Sequence, residues 1–239
     1  PLCEIIRQLS TLHPEFAFLP RKFKIAVCGS EEDRAAFLLH DIGIQLVKND
    51  QGETGFHIYV GGGLGRTPVI ASSIKTFLPK EHLLTYLDAI LRVYNRYGNR
   101  NNKYKARIKI LVRAWTPEVF AERVEAEWLH LKDGPATLNG HEIERVKGFF
   151  SQPDYKAVDG DVVSADVQAL ATEHKGFSRW LDRNVKTQKQ TGYACVTLSL
   201  KPVGVAPVDV TDRQLETIAD LADRFSFGEI RTTHNQNIV

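Results

Sequence analysis

The stretch "HLLTYLDAILRVYNRY", residues 82–97, constrains the fold most. Leu83, Leu84, Leu87, Ile90, Leu91 and Tyr94 recur at three- and four-residue spacing and make one apolar stripe, and Gly98 follows as a stop. A helix of this kind needs another element to cover its stripe. Strand patterns precede it. Residues 22–28 read as a buried strand, and 44–48 and 55–60 as two short strands joined into a hairpin by "NDQGET". Ser30 is placed to cap a helix over 31–41, with Glu31, Glu32 and Asp33 in its positive first turn. Beyond the stripe, 106–113 alternates as a strand, with Ile108, Ile110 and Val112 on one face and Arg107, Lys109 and Leu111 on the other. Thr116-Pro117 then opens a helix whose Phe120, Val124, Trp128 and Leu131 repeat at helical spacing, a core stripe rather than a cofactor box.

Residues 133–190 have weak periodicity apart from 141–150 and a short helix near 176–184, and read as a connecting region. A second ordered unit begins at 192. "YACVTLSL" alternates as a strand and "KPVGVAPVD" is a loop. Thr211 caps a helix with Gln214 at the capping-box position. Leu215, Ile218, Leu221, Ala222 and Phe225 line the expected buried face, Gly228 stops the helix, and "EIRTTHNQNIV" starts another strand. A lone β-α-β unit cannot bury both of its faces. There is no Met, and the last two residues are the apolar Ile238 and Val239, so the expectation is a piece of a longer protein.

Composition excludes several classes. At 43% hydrophobic and 25% charged the chain is ordinary globular material. No apolar run approaches the ~18 residues of a membrane span, and "PLCEIIRQLSTLHPEF" does not read as a secretory leader. Cys3, Cys28 and Cys195 are far apart and odd in number, which gives no disulfide framework and no metal site and fits a reducing, cytoplasmic compartment. A formal net charge of +2 is too small by itself to imply nucleic acid.

The charge is unevenly placed. From Arg92 to Arg113 there are eight basic residues and no acidic one. In "LPRKFKIAV" Lys22 and Lys24 alternate with Phe23 and Ile25, so both lysines point to one side of an extended segment. With Arg21, Arg66, Arg107 and Lys109 they could line a pocket for a polyanion. A solvated basic face is the other reading of the same charges. "GGGLGR" could bring backbone N–H groups close to an anion, but it has neither a P-loop ending nor the dinucleotide spacing, and a plain turn also accounts for it. His234 in "THNQN" is the most suggestive of eight scattered histidines, although a structural role explains it equally.

"FLPRKFKIAV", "VGGGLGRTP", "YGNRNNKYKARIKILV" and "FGEIRTTHNQNIV", in this order and spacing, closely resemble the sirohaem-dependent nitrite and sulfite reductases of the assimilatory haemoprotein type. The resemblance runs over nearly the whole chain. It implies an α+β fold: an entry segment over 1–18, an α/β sirohaem-binding unit with a mixed sheet flanked by helices over 19–150, a connector over 151–190, and a truncated ferredoxin-like β-α-β unit over 191–239. It implies sirohaem linked to a [4Fe–4S] cluster, and six-electron reduction of sulfite to sulfide or nitrite to ammonia. Lys22 and Lys24 match the two active-site lysines of the family's "PRKFK" motif. Arg21 matches a cofactor-supporting position. Gly62, Gly63, Arg66, Arg100, Lys105, Arg107 and Lys109 are the expected contacts to the sirohaem carboxylates, and Asn235, Gln236 and Asn237 match a cofactor-side motif.

The family's cluster cysteines, Cys-x₅-Cys followed by Cys-x₃-Cys, are not matched by Cys3, Cys28 or Cys195. The cluster ligands are therefore expected outside this chain, and the chain alone is expected to be inactive. Expected partners are sulfite or nitrite, an electron donor (ferredoxin or an NADPH-dependent flavoprotein), and the rest of the same polypeptide, with no membrane and no nucleic acid. The alternatives are a non-catalytic relative used for sirohaem handling or scaffolding, and a basic module whose Tyr94, Tyr97 and Tyr104 stack on bases, for which no RNA-binding signature is present.

Overall fold

A four-stranded mixed sheet carries the first of two units, Pro1–Ser151 and Gln152–Val239, into which the chain divides. The computed structural model describes residues 1–158 and 163–239; part of the expected connector, 159–162, lies outside them. In the first unit α1 (Leu2–Ser10) is followed by β1 (Ile25–Cys28), β2 (Ile42–Lys48), β3 (Thr54–Val60) and β4 (Ser72–Pro79). The sheet order is β1-β2-β3-β4: β1 is parallel to β2 from Ile25↔Ile42, and the other two pairs are antiparallel. The 49–53 turn closes the β2–β3 hairpin as expected. The Asn49 side chain accepts from the N–H groups of Gln51 and Glu53, and Gly52 takes a φ of 79°. Strand β4 was not foreseen.

Helices follow: α2 (Leu83–Tyr97), α3 (Ile108–Trp115), α4 (Pro117–Trp128) and α5 (Gly140–Lys147). The predicted stripe of α2 is buried, together with Ile42, Ile44, Phe56, Ile58 and Leu78 from the sheet and Phe120 and Val124 from α4, in one apolar core. Glu125 on α4 accepts hydrogen bonds from Lys75 Nζ at 3.0 and 3.1 Å and from Tyr86 Oη at 2.8 Å, so one carboxylate ties α4 to β4 and α2.

Three expectations for this unit are corrected. Residues 31–41 form turns and a short 3-10 segment, Phe37–Leu39, instead of an α-helix. Ser30 Oγ donates to the Glu32 carbonyl instead of capping, Asp33 Oδ1 accepts from Phe37 N–H, and Ala36 is left-handed at φ 49°, which breaks any continuous helix. The strand expected over 106–113 is helix α3. Ile108 and Val112 share a face in both readings; the buried Leu111 completes the i, i+3, i+4 set that makes it a helix. The strand expected from 22 begins at Ile25. Pro117 does sit in the first turn of α4, but Thr116 makes no side-chain cap there.

In the second unit α6 (Ala165–Glu173) and α7 (Lys175–Asn184) precede β5 (Val185–Thr187), which pairs antiparallel with β6 (Ala194–Val196), and α8 (Asp212–Phe225) follows. The predicted capping box is present. Thr211 Oγ1 accepts from Gln214 N–H and the Gln214 side chain accepts from Thr211 N–H. Gly228, at φ 71°, closes α8 by donating to Ala222 O. The buried face expected for α8 is corrected. Only Ala222 is buried, and Leu215, Leu221 and Phe225 are exposed, because β5, β6 and a few bridges give that face too little sheet to lie on. The final segment is a tight hairpin, not a single strand: Arg231 and Val239 exchange both backbone bonds, and Thr233 N–H donates to Asn237 O across a turn in which Gln236 has φ 57°. Thr211→Ala should cost about 1 kcal/mol and speed amide exchange in the first turn of α8 while leaving α2 unchanged, measured by hydrogen exchange with mass spectrometry.

Candidate functional site

Two of the predicted cationic residues of the first unit, Arg107 and Lys24, meet at a carboxylate that the sequence did not single out. Asp41, fully buried just before β2, accepts from Arg107 Nε at 2.9 Å and from Arg107 Nη2 at 2.8 and 2.7 Å, and from the Lys24 backbone N–H at 2.9 Å. Its own carbonyl accepts from Gly61 N–H at 3.0 Å, and Ile42 N–H donates to Lys24 O at 3.1 Å. One residue thus joins the 21–24 segment, the start of the Gly-rich loop and the N-terminus of α3. Burial pushes the Asp41 carboxyl above the usual aspartate range, against the pull of the Arg107 guanidinium and the Lys24 N–H. Every group bonded to the carboxyl is a donor, so the arrangement holds the carboxylate.

A second tie runs beside it. Tyr94 Oη donates to Ala106 O at 2.8 Å and lies 3.4 Å from Arg21 O, and burial raises its phenol to about 12. Phe23 packs against the core with its ring 5.8 Å from that of Tyr94, while Lys22 and Lys24 are exposed. The alternation expected for this segment is what the structure shows, although it precedes the paired strand.

The remaining predicted residues divide by what they bind. Arg21, Lys22, Lys24, Arg66 and Lys105 are exposed, and their side chains make no hydrogen bond or ion pair among the described residues. Arg107 spends Nε and Nη2 on Asp41, and Nη1 has no partner among the described residues. Lys109 is buried and donates to Thr67 O at 2.5 Å and Leu64 O at 3.3 Å, pinning the Gly-rich loop by its carbonyls. Arg100 donates to Phe18 O, Asn95 O and Asn95 Oδ1 and so is bound up in the chain itself. Gly63 faces Arg107 and Lys109, whereas Gly62 is pressed against the backbone of 38–40. The exposed apolar side chains Leu64, Ile70 and Tyr104 stand in the loops that carry these cations. An acidic residue directly before an apolar strand pattern, "HDIGI", was the available sign of Asp41.

In the second unit, Asn235, Gln236 and Asn237 form the turn of the last hairpin. They surround the ammonium of Lys201, which donates to Asn235 O at 2.5 Å, Gln236 O at 3.1 Å and Asn237 Oδ1 at 2.7 Å. Lys201 was not foreseen, and His234 is exposed.

Five cations of the first unit are thus exposed and unpaired among the described residues, and Lys24 and Arg107 are tied to a buried carboxylate. The family description "Nitrite and sulphite reductase 4Fe-4S domain" matches residues 1–132, and "Nitrite/Sulfite reductase ferredoxin-like half domain" matches residues 186–239. The chain belongs to the nitrite and sulphite reductase family. It is similar to "Sulfite reductase [ferredoxin] 1" of Mycolicibacterium paratuberculosis, 31% identical over 72% of this chain and 32% of that protein. It is also similar to the "Assimilatory ferredoxin-dependent nitrite reductase" of Haloferax mediterranei, 30% identical over 92% of this chain and 33% of that protein. The solved NirA protein of Mycobacterium tuberculosis matches with a TM-score of 0.64 at 26% identity, over 99% of this chain and 36% of that chain. The chain therefore spans about a third of the length of the relatives it matches.

Proposed function

We propose that this chain is part of a reductase that takes sulfite to sulfide, or nitrite to ammonia, with sirohaem and a [4Fe–4S] cluster as its cofactors. The observation that carries the reading is the pair Lys22 and Lys24, exposed on one side of a segment whose backbone is fixed by Asp41 and whose Phe23 is anchored in the core. Sirohaem is a polycarboxylate, and Arg21, Lys22, Lys24, Arg66, Lys105 and the free Nη1 edge of Arg107 suit it as donors. Gly63 packs against the Lys109 and Arg107 side chains. In the reading by family motif, Gly62, Arg100 and Lys109 also belong to this site; their bonds make them builders of its walls, and Asn235, Gln236 and Asn237 supply a cofactor-side turn in the second unit.

The cluster does not fit the residues present. Among the described residues no three His, Cys, Asp or Glu side chains are grouped to hold a metal; we infer that the cluster's ligands lie elsewhere in the complete polypeptide and that the 239 residues alone are inactive. Sirohaem, when bound, would supply the iron that holds the substrate and passes it electrons from the donor. The lysines do the rest of the work assigned here: their ammonium groups neutralise the oxyanion, orient it, and hand over protons from Nζ as its bonds to oxygen break. Residues 19–150 would form the sirohaem-binding unit and 191–239 the opening of the second ferredoxin-like unit, joined by 151–190. Ferredoxin is the favoured donor, because similar proteins carry it in their names. No helix among the described residues is long and apolar enough to cross a membrane; the cytoplasmic location we infer rests on three cysteines without a pairing pattern.

The test is Lys22→Ala and Lys24→Ala in the complete polypeptide. Each should lower turnover about a hundredfold and leave the urea midpoint unchanged, since neither ammonium has a partner among the described residues. Unchanged turnover in both variants would overturn the reading.

A further inference from the structure

We propose that Asp41 is the positioning residue for Lys24, and that through the same carboxylate it aims Arg107 at the anion face. The inference rests on the proposed role of the lysine pair. Asp41 touches neither substrate nor cofactor here; it acts through the two residues it holds.

The bonding is specific to this task. Oδ1 takes Arg107 Nε and Nη2, and Oδ2 takes Nη2 and the Lys24 N–H. Lys24 is thereby gripped on both sides of its backbone, by Asp41 at its N–H and by Ile42 at its carbonyl. With Phe23 turned into the core, the period-two alternation leaves the Lys24 side chain only the outward direction. Arg107 is held by its Nε–Nη2 edge, so its Nη1 edge is the one presented. Lys22 has no such grip; its neighbour Arg21 has only the 3.4 Å contact of its carbonyl with Tyr94. A buried ion pair is a poor device for stability alone, because desolvation offsets its Coulomb attraction. It is a good device for fixing two side chains in one geometry.

Asparagine at 41 could keep a carbonyl oxygen for one of these donors, but its NH₂ would then face the donors of the other. The test is a cycle in the complete holoenzyme with Asp41→Asn and Lys24→Ala, singly and together, with turnover and amide exchange as readouts. Asp41→Asn should lower turnover roughly tenfold in the parent and less than twofold where Lys24 is already Ala. The Lys24 amide should exchange faster in Asp41→Asn while Ile44 keeps its protection. A merely structural role predicts the same fold-loss in both backgrounds, and that result, or unchanged exchange at Lys24, overturns the proposal. If Lys24→Ala leaves turnover intact the proposal falls, and the reading beneath it falls too where Lys22→Ala is also intact; if Lys24→Ala is impaired but the two losses multiply, only the positioning role falls. Should Asp41→Asn fail to fold, Arg107→Lys enters the same cycle. It keeps the carboxylate but removes the bidentate fork, and the same non-multiplying loss is expected.

Discussion

Gly62→Ala should destabilise the first unit by about 3 kcal/mol, read as a lowered urea midpoint of the Trp115 and Trp128 fluorescence. A Cβ at position 62 would point straight into backbone: the carbonyl of Leu38, the carbonyl of His40 at 2.5 Å and the N–H of His40 at 3.0 Å. None of these can rotate away as a side chain would. Relief requires the 38–40 segment to move, and that segment follows directly on Phe37, which packs on Ala26 and Cys28 of β1, and leads directly into Asp41. Gly63 one residue later is the control. Its Cβ would meet the Lys109 side chain at 3.3 Å and no backbone, a contact that a small shift relieves, so Gly63→Ala should cost well under half as much. Equal costs at 62 and 63 would refute this account of the Gly-rich loop. The glycine that reads as an anion cradle in the sequence is, at 62, a packing requirement; the position that faces the cations is 63.

The parts of the fold that were legible are those in which neighbours along the chain decide the outcome. The α2 stripe, the 49–53 turn and the Thr211–Gln214 capping box are all local, and all three are present. The lysine alternation was legible for the same reason, since Phe23 and its flanking charges are adjacent. What sequence could not show is commitment over distance. Arg107 and Asp41 are separated by 66 positions, and Arg100 reaches Phe18 across 82, so a count of basic residues treats as free the very side chains that the fold has already used. Residues 31–41 failed for a local reason of another kind: the same Ser30 and Asp33 that favour a helix start bonded to their own neighbours in turns.

Helix α3 is the sharpest case, and it gives the second large effect. Leu111→Ala should cost about 2–3 kcal/mol in the same urea measurement, while Ile110→Ala should cost less than half of that. A strand over 106–113 would place Leu111 beside Arg107 and Lys109 on the cation face and Ile110 with the core. The helix reverses them: Leu111 is buried with Ile108 and Val112, and Ile110 is only partly covered. Val112 in turn packs on Gly61, where a Cβ would come within 3.1 Å of it, so the face that Leu111 anchors also seats the Gly-rich loop. Lys109, on the same turn, pins that loop through the carbonyls of Leu64 and Thr67. Loosening Leu111 should therefore also speed amide exchange at Val69, whose N–H is bonded to Gly63 O within the loop. A larger loss from Ile110→Ala than from Leu111→Ala would mean that α3 presents its other face to the core, and that Lys109 is free for an anion rather than bound to the loop.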